Sequence, residues 1–304
     1  MHPAIRTRGL TRQFRAGIGV RDLDLEVPAG SIYGFLGPNG AGKTTTIRLL
    51  LNLLRPDAGE IVLFGVPLGG GRREALAQVG ALVESPSLYG HLSGRANLEI
   101  TRRLLGLPAA RIDSVLERVD LVDAAGRRVA EYSLGMRQRL AIALALLGAP
   151  RLLLLDEPGN GLDPAGIVEL RQLLRGLADD GVTVFISSHQ LSEVELIATH
   201  VGVLQAGRLR FEGRLDSLRA RVRPRLLLRC EPALKALDLL HRAGESVRLA
   251  ADGIAIELAE RPEAEINRLL VEHGVAVSRM VRETPSLESL FFDLTDNDAQ
   301  GKAA

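Results

Sequence analysis

The chain has 304 residues, a net charge of +1 with acidic and basic side chains interspersed, and a single cysteine, Cys230. That length accommodates a large first domain and a smaller second one, while the balanced charge excludes the strong basic field of a nucleic-acid binder and the polybasic patch of a membrane-surface protein. One cysteine excludes an intramolecular disulfide, the opening Met1-His2-Pro3-Ala4-Ile5-Arg6 lacks the apolar core of a signal peptide, and a cytosolic protein is expected.

In chain order, residues 5–14 and 22–27 alternate apolar and polar side chains, the pattern of antiparallel strands with one buried face. Residues 32–36 read as a strand, 43–54 as a helix, and 152–155 and 182–187 as fully buried strands. Alternation of strand and helix to about residue 215 predicts an α/β fold whose parallel sheet is covered on both faces. The most apolar stretch, residues 140–155, is interrupted by Pro150 and Arg151 and falls short of the ~20 residues that cross a bilayer. If this protein moves a solute, another chain makes the pore.

A different rhythm follows an arginine-rich linker assigned to residues 216–224. Strand 225–230, helix 233–241, strands 246–250 and 254–258, helix 263–271 and strand 275–281 spell a small α+β ferredoxin-like domain, assigned to 225–294 with a short last helix at 285–294. The polar residues 295–304 are expected to be disordered.

The strongest chemical signal is Gly37-Pro38-Asn39-Gly40-Ala41-Gly42-Lys43-Thr44, continued by Thr45, between a predicted strand and a predicted helix. Glycines there let backbone N–H groups point at phosphates above the positive end of the helix. Lys43 reaches the β- and γ-phosphates, and the Thr44 hydroxyl is a Mg²⁺ ligand. Only three of the 38 cationic residues are lysine (Lys43, Lys235 and Lys302), so this lysine stands out against an arginine background. Strand 152–155 then delivers Asp156 and Glu157 at its carboxyl end, where α/β sheets bind ligands. Asp156 suits Mg²⁺ held through water, and Glu157 suits activation of the attacking water.

The order of five motifs resembles the ATP-binding subunits of ABC transporters over roughly residues 4–215: the phosphate loop, Tyr132-Ser133-Leu134-Gly135-Met136, Leu155-Asp156-Glu157-Pro158, Gly161-Leu162-Asp163-Pro164, and Ser188-His189. The resemblance implies a P-loop ATPase with an antiparallel β subdomain and a helical arm at about 87–122. It implies that Ser133 and Gly135 contact the γ-phosphate held by a second copy, that Asp163 lies at the dimer interface, and that His189 touches the γ-phosphate. It also sets Phe14 where an aromatic stacks on adenine, with a core role for Phe14 as the alternative. Glu84 takes the position where the family mostly has glutamine, and a carboxylate there can ligate Mg²⁺. The groove near Glu84, Leu88 and Tyr89 is where the family receives a membrane-spanning permease subunit; simple core packing of Leu88 and Tyr89 is the alternative.

Glu84 and the departure of Tyr132-Ser133-Leu134-Gly135-Met136 from the usual Leu-Ser-Gly-Gly-Gln look like the branch serving bacitracin, lantibiotic and multidrug export. The implied protein is a cytoplasmic subunit, peripheral on the inner face of the membrane, that dimerises on ATP and binds no nucleic acid. Import remains open, since the catalytic motifs are shared, as does a soluble ABC ATPase outside transport. The second domain reads as a dimerisation or permease-contact module.

Overall fold

The computed structural model describes residues 2–14, 19–70, 72–84, 87–220, 225–250, 253–257 and 261–283. The chain divides into two compact units after Leu215. In the first unit the elements run β1 (Ile5–Gln13), β2 (Gly19–Val27), β3 (Ile32–Leu36), α1 (Lys43–Leu50), β4 (Ala58–Leu63), β5 (Val66–Pro67), α2 (Arg72–Leu76) and β6 (Val79–Leu82). Then come α3 (Gly94–Leu104), α4 (Ala110–Arg118), α5 (Leu134–Leu146), β7 (Leu152–Asp156), α6 (Pro164–Asp179), β8 (Thr183–Ser188), α7 (Leu191–Glu195), β9 (His200–Gln205) and β10 (Arg208–Arg214).

Strands β2-β1-β4-β5 form an antiparallel sheet, and β10-β9-β3-β8-β7-β6 form a second sheet in which all but the β9–β10 pair are parallel. Every residue of β3, β7 and β8 is buried, as expected for strands sandwiched between two layers. Alternation on the pleat separates the two cores. Leu153, Leu155, Val184 and Ile186 join the core with the helical arm and α5, whereas Leu152, Leu154, Phe185, Tyr33 and Phe35 join Ile47 and Leu50 of α1 and the antiparallel sheet. By the same period, Asp156 and Ser187 emerge on the α1 side. That parity aims the last residue of β7 at the phosphate-loop helix.

The helical arm consists of α3 and α4, with Ser93 capping α3 by accepting from the Ala96 N–H at 3.1 Å. Helix α1 is shorter than the 43–54 predicted from periodicity: Asn52 takes φ 54°, and the N–H groups of Leu53 and Leu54 both return to the Arg48 carbonyl. This left-handed closure ends the helix although its apolar spacing continues.

Helix α8 (Leu215–Ala220) begins at the division, and the second unit continues with β11 (Arg225–Glu231), α9 (Ala233–Arg242), β12 (Ser246–Ala250), β13 (Gly253–Glu257), α10 (Glu263–Glu272) and β14 (Ala276–Glu283). Helix α8 covers the start of the linker assigned to 216–224. Leu215 and Leu218, three apart, are both buried, and that helical spacing is masked in the sequence by the surrounding arginines. Strand order β12-β13-β11-β14 gives a four-stranded antiparallel sheet. Its Leu226, Leu228, Ile254 and Ile256 pack on Leu240, Ile266 and Leu270 of the two helices. The strand-helix-strand-strand-helix-strand order is the one expected from sequence. The helix expected at 285–294 and the tail at 295–304 lie outside the described residues. No helix among the described residues is long and apolar enough to cross a membrane.

Candidate active site

Strands β3, β8 and β7 are neighbours running in one direction, with Leu36 paired to Ser188 and Asp156 paired to Ser187. Three segments therefore leave the sheet at the same edge: the loop 37–42, His189 and Glu157. Crevices at the carboxyl ends of parallel strands are where such sheets bind ligands.

Gly37 is buried, and Pro38, Asn39 and Gly40 form an exposed tip. A Cβ at Gly37 would lie 2.4 Å from the Leu204 carbonyl oxygen, and one at Gly42, where φ is +111°, would lie 2.8 Å from Cγ1 of Val20. The loop thus turns tightly against β9 and β2, and only glycine fits at those two positions. Gly42 is the N-cap of α1, whose first-turn amides have no acceptor within the helix and present positive ends outward. Ala41 and Lys43 are buried, and Thr44 and Thr45 are partly exposed at the start of α1.

Lys43 is only 5% exposed, and its ammonium donates to the Gly37 carbonyl at 2.8 Å and the Pro38 carbonyl at 3.3 Å. Its third partner is Oε1 of Glu157 at 3.2 Å. The other oxygen of that carboxylate, Oε2, is 2.9 Å from Nδ1 of His189. A single carboxylate thus bridges the loop lysine and the histidine that follows β8. Glu157 sits at φ +48°, a backbone conformation non-glycine residues adopt at a cost and that recurs where function demands it. Its N–H donates to the Ser187 carbonyl at 3.2 Å and to Ser187 Oγ at 3.0 Å, and the Ser187 hydroxyl donates to Oδ1 of Asp156 at 2.5 Å.

Thr44, Glu84, Leu134, Gln138, Asp156, Glu157 and Asn160 line one cleft. Its donors from Thr44, Glu84 and Asp156 are oxygens, the chemistry Mg²⁺ takes. Among the described residues no group of three or more His, Cys, Asp or Glu side chains is arranged to hold a metal by itself, and a Mg²⁺ held here would take phosphate oxygens and water into its shell, as is usual for that ion. The residues present fit MgATP.

Ser133 and Gly135 do not line this cleft within their own chain. Ser133 is exposed and caps α5, its Oγ accepting from the Met136 N–H at 3.1 Å. Asp163 likewise caps α6, accepting from the Gly166 N–H at 2.9 Å. Phe14 is 39% exposed with the Arg12 guanidinium 5.2 Å from its ring centroid, so the core alternative fails. Leu88 packs partly against the arm's core, while Tyr89 is 53% exposed, so core packing holds in part for the leucine and not for the tyrosine. Sequence reasoning missed Ser187, Gln138 and Asn160. Ser187 meets Asp156 only through the register of β7 and β8, so nothing local in the sequence marks it.

The ABC transporter family profile matches residues 20–160. The bacitracin transport ATP-binding protein BcrA of Bacillus licheniformis is 42% identical over 299 residues, 97% of this chain and 98% of that protein. The daunorubicin resistance ATP-binding protein DrrA3 of Streptomyces coeruleorubidus is 38% identical over 314 residues, 99% and 98% of the two chains. Among solved structures, cbiO1 from Clostridium perfringens, part of the ABC transporter complex cbiONQ, superposes with a TM-score of 0.67 at 25% identity, covering 73% of this chain and 92% of that one.

Fold and site define a P-loop ATPase, and the chain belongs to the ATP-binding subunits of ABC transporters. It binds and hydrolyses ATP, and its relatives stand in the antibiotic and drug branch that Glu84 and the altered signature resemble.

Proposed function

We propose that this chain is the motor of an exporter of peptide antibiotics or drugs. Two copies close on MgATP and drive a separate membrane-spanning permease from the cytoplasmic face of the membrane. The observation that carries the catalytic part is the Glu157 carboxylate joined at once to Lys43 and His189, beside Asp156 and Thr44. Export is supported by the two full-length relatives, whose names describe bacitracin transport and daunorubicin resistance.

Lys43 and the loop amides of residues 37–45 hold the triphosphate, and Phe14 stacks on the adenine. Thr44, Asp156 and Glu84 would hold Mg²⁺, which would supply charge neutralisation at the phosphates. Glu157 accepts the proton of the attacking water, and His189 keeps that carboxylate oriented while contacting the γ-phosphate. Ser133 and Gly135, at the exposed start of α5, serve the partner copy's γ-phosphate, and Asp163 lies at the same interface. The arm and Tyr89, beyond Glu84, receive the permease; the second unit strengthens assembly.

The test is reconstitution of the chain with its candidate permease in sealed inverted vesicles. ATP-dependent uptake of a fluorescent drug or labelled peptide antibiotic into the lumen, equivalent to export from a cell, is expected. Uptake that runs only in the opposite orientation would overturn export while leaving the ATPase assignment intact.

A further inference from the structure

Arg48 is a cation paired with a residue of the cleft, and no motif marks it. It follows Thr44 by one helical turn on α1, so the two side chains share a face of the helix. Its guanidinium is ion-paired with the carboxylate of Glu84, two residues beyond β6. Glu84 itself stands at φ +60°, a left-handed conformation that fixes where its side chain leaves the backbone.

The charges of the cleft explain why this pair matters. Glu84, Asp156 and Glu157 all line it, and a triphosphate must enter beside them. Lys43 balances Glu157, Asp156 accepts from the neutral Ser187 hydroxyl, and Arg48 balances Glu84. The side chains of Arg48 and Glu84 are 40% and 62% exposed, so the pair adds little to the stability of the fold. Its effect is on the local potential that a polyanion meets.

We propose that Arg48 is a positioning residue for the nucleotide: it draws the Glu84 carboxylate over the Thr44 face of α1 and cancels its charge, which lets a third carboxylate stand in a cleft that admits ATP. This rests on the reading of the cleft as the MgATP site. Arg48 also lies in the last turn of α1, where any cation is favoured by the helix dipole, and the experiment separates that structural role from the proposed one.

The test is a double-substitution cycle on the full chain, read by fluorescent mant-ATP binding with and without Mg²⁺, at low and high salt, with melting temperatures alongside. Arg48→Gln keeps most of the aliphatic stem and is expected to weaken Mg²⁺–mant-ATP binding about fivefold or more at low salt, less at high salt. In a Glu84→Gln background the same change is expected to alter affinity by less than about twofold, because the charge it balanced is gone. Arg48→Lys is expected to retain most of the affinity.

Equal losses in both backgrounds, or no loss in either, would overturn the proposal; so would a lower melting temperature with unchanged affinity, which is the helix-end effect alone. Lys43→Ala measured in parallel distinguishes the two readings. If it binds mant-ATP as wild type does, the cleft is not the nucleotide site; if it loses binding while Arg48→Gln does not, only the role of Arg48 fails.

Discussion

Nζ of Lys43 lies 3.2 Å from Oε1 of Glu157, joining the loop after β3 to the residue after β7 across the end of β8. A buried ammonium persists only when paired and hydrogen-bonded, and here two carbonyls and one carboxylate meet that need. The lysine is thereby preorganised at the mouth of the loop. Lys43→Ala is expected to lower phosphate release by at least about a hundredfold, since it removes the cation held at the mouth of the loop for the β- and γ-phosphates. Steady-state turnover near wild type would refute the phosphate-loop assignment.

Glu84 tests whether the carboxylate at its position has chemistry of its own. It is exposed and bonded to Arg48, and it shares the cleft of Thr44 and Asp156. An amide oxygen can take the same place near Mg²⁺ without the charge. Glu84→Gln is therefore expected to retain ATPase activity within about tenfold of wild type. Complete inactivation, with nucleotide binding intact, would assign the carboxylate a proton-transfer role.

The legibility of this molecule follows from where backbone and side chains do the same work. Buried runs such as Leu152-Leu153-Leu154-Leu155 and the glycines of loop 37–42 are constraints written locally, so β7 and the phosphate loop were predictable. The end of α1 was not, because Asn52 closes the helix through its own left-handed backbone while Leu53 and Leu54 continue the apolar spacing. Helix α8 was hidden by arginines around Leu215 and Leu218. In the site, motif residues were found, but Ser187, Gln138 and Asn160 were not. Their significance comes from register and packing between segments distant in sequence, which no local pattern encodes.

Gly80 offers a test of the fold that spares the nucleotide residues. It lies on β6 under α5, and a Cβ there would meet the Ala145 carbonyl oxygen at 2.3 Å and Cγ of Pro150 at 3.0 Å. Both neighbours are rigid, so α5 would have to shift away from the sheet. Gly80→Ala is expected to destabilise the first unit by about 1–3 kcal/mol, seen as a lower thermal midpoint in the full chain. An unchanged midpoint would mean that the close approach of α5 to β6 is wrong.

The last prediction separates a two-copy machine from a solitary ATPase. Within one chain the cleft gathers Thr44, Asp156 and Glu157, while Ser133 stands exposed at the start of α5 outside it. If Ser133 and Gly135 of a second copy close the site, ATP bound between the copies holds them together. Glu157→Gln keeps the size and hydrogen-bonding reach of the side chain but cannot take a proton from water, so hydrolysis is expected to fall by about 10²–10⁴-fold with binding preserved. The closed pair should then accumulate. Light scattering with ATP should report a dimer for Glu157→Gln and a monomer for Glu157→Gln combined with Ser133→Arg, whose bulk blocks the γ-phosphate contact in trans. In the same samples mant-ATP binding by the single chain should survive both changes, because neither removes the loop or Lys43. A Glu157→Gln chain that binds ATP yet stays monomeric, together with wild-type activity strictly linear in protein concentration, would show that each copy completes its own site.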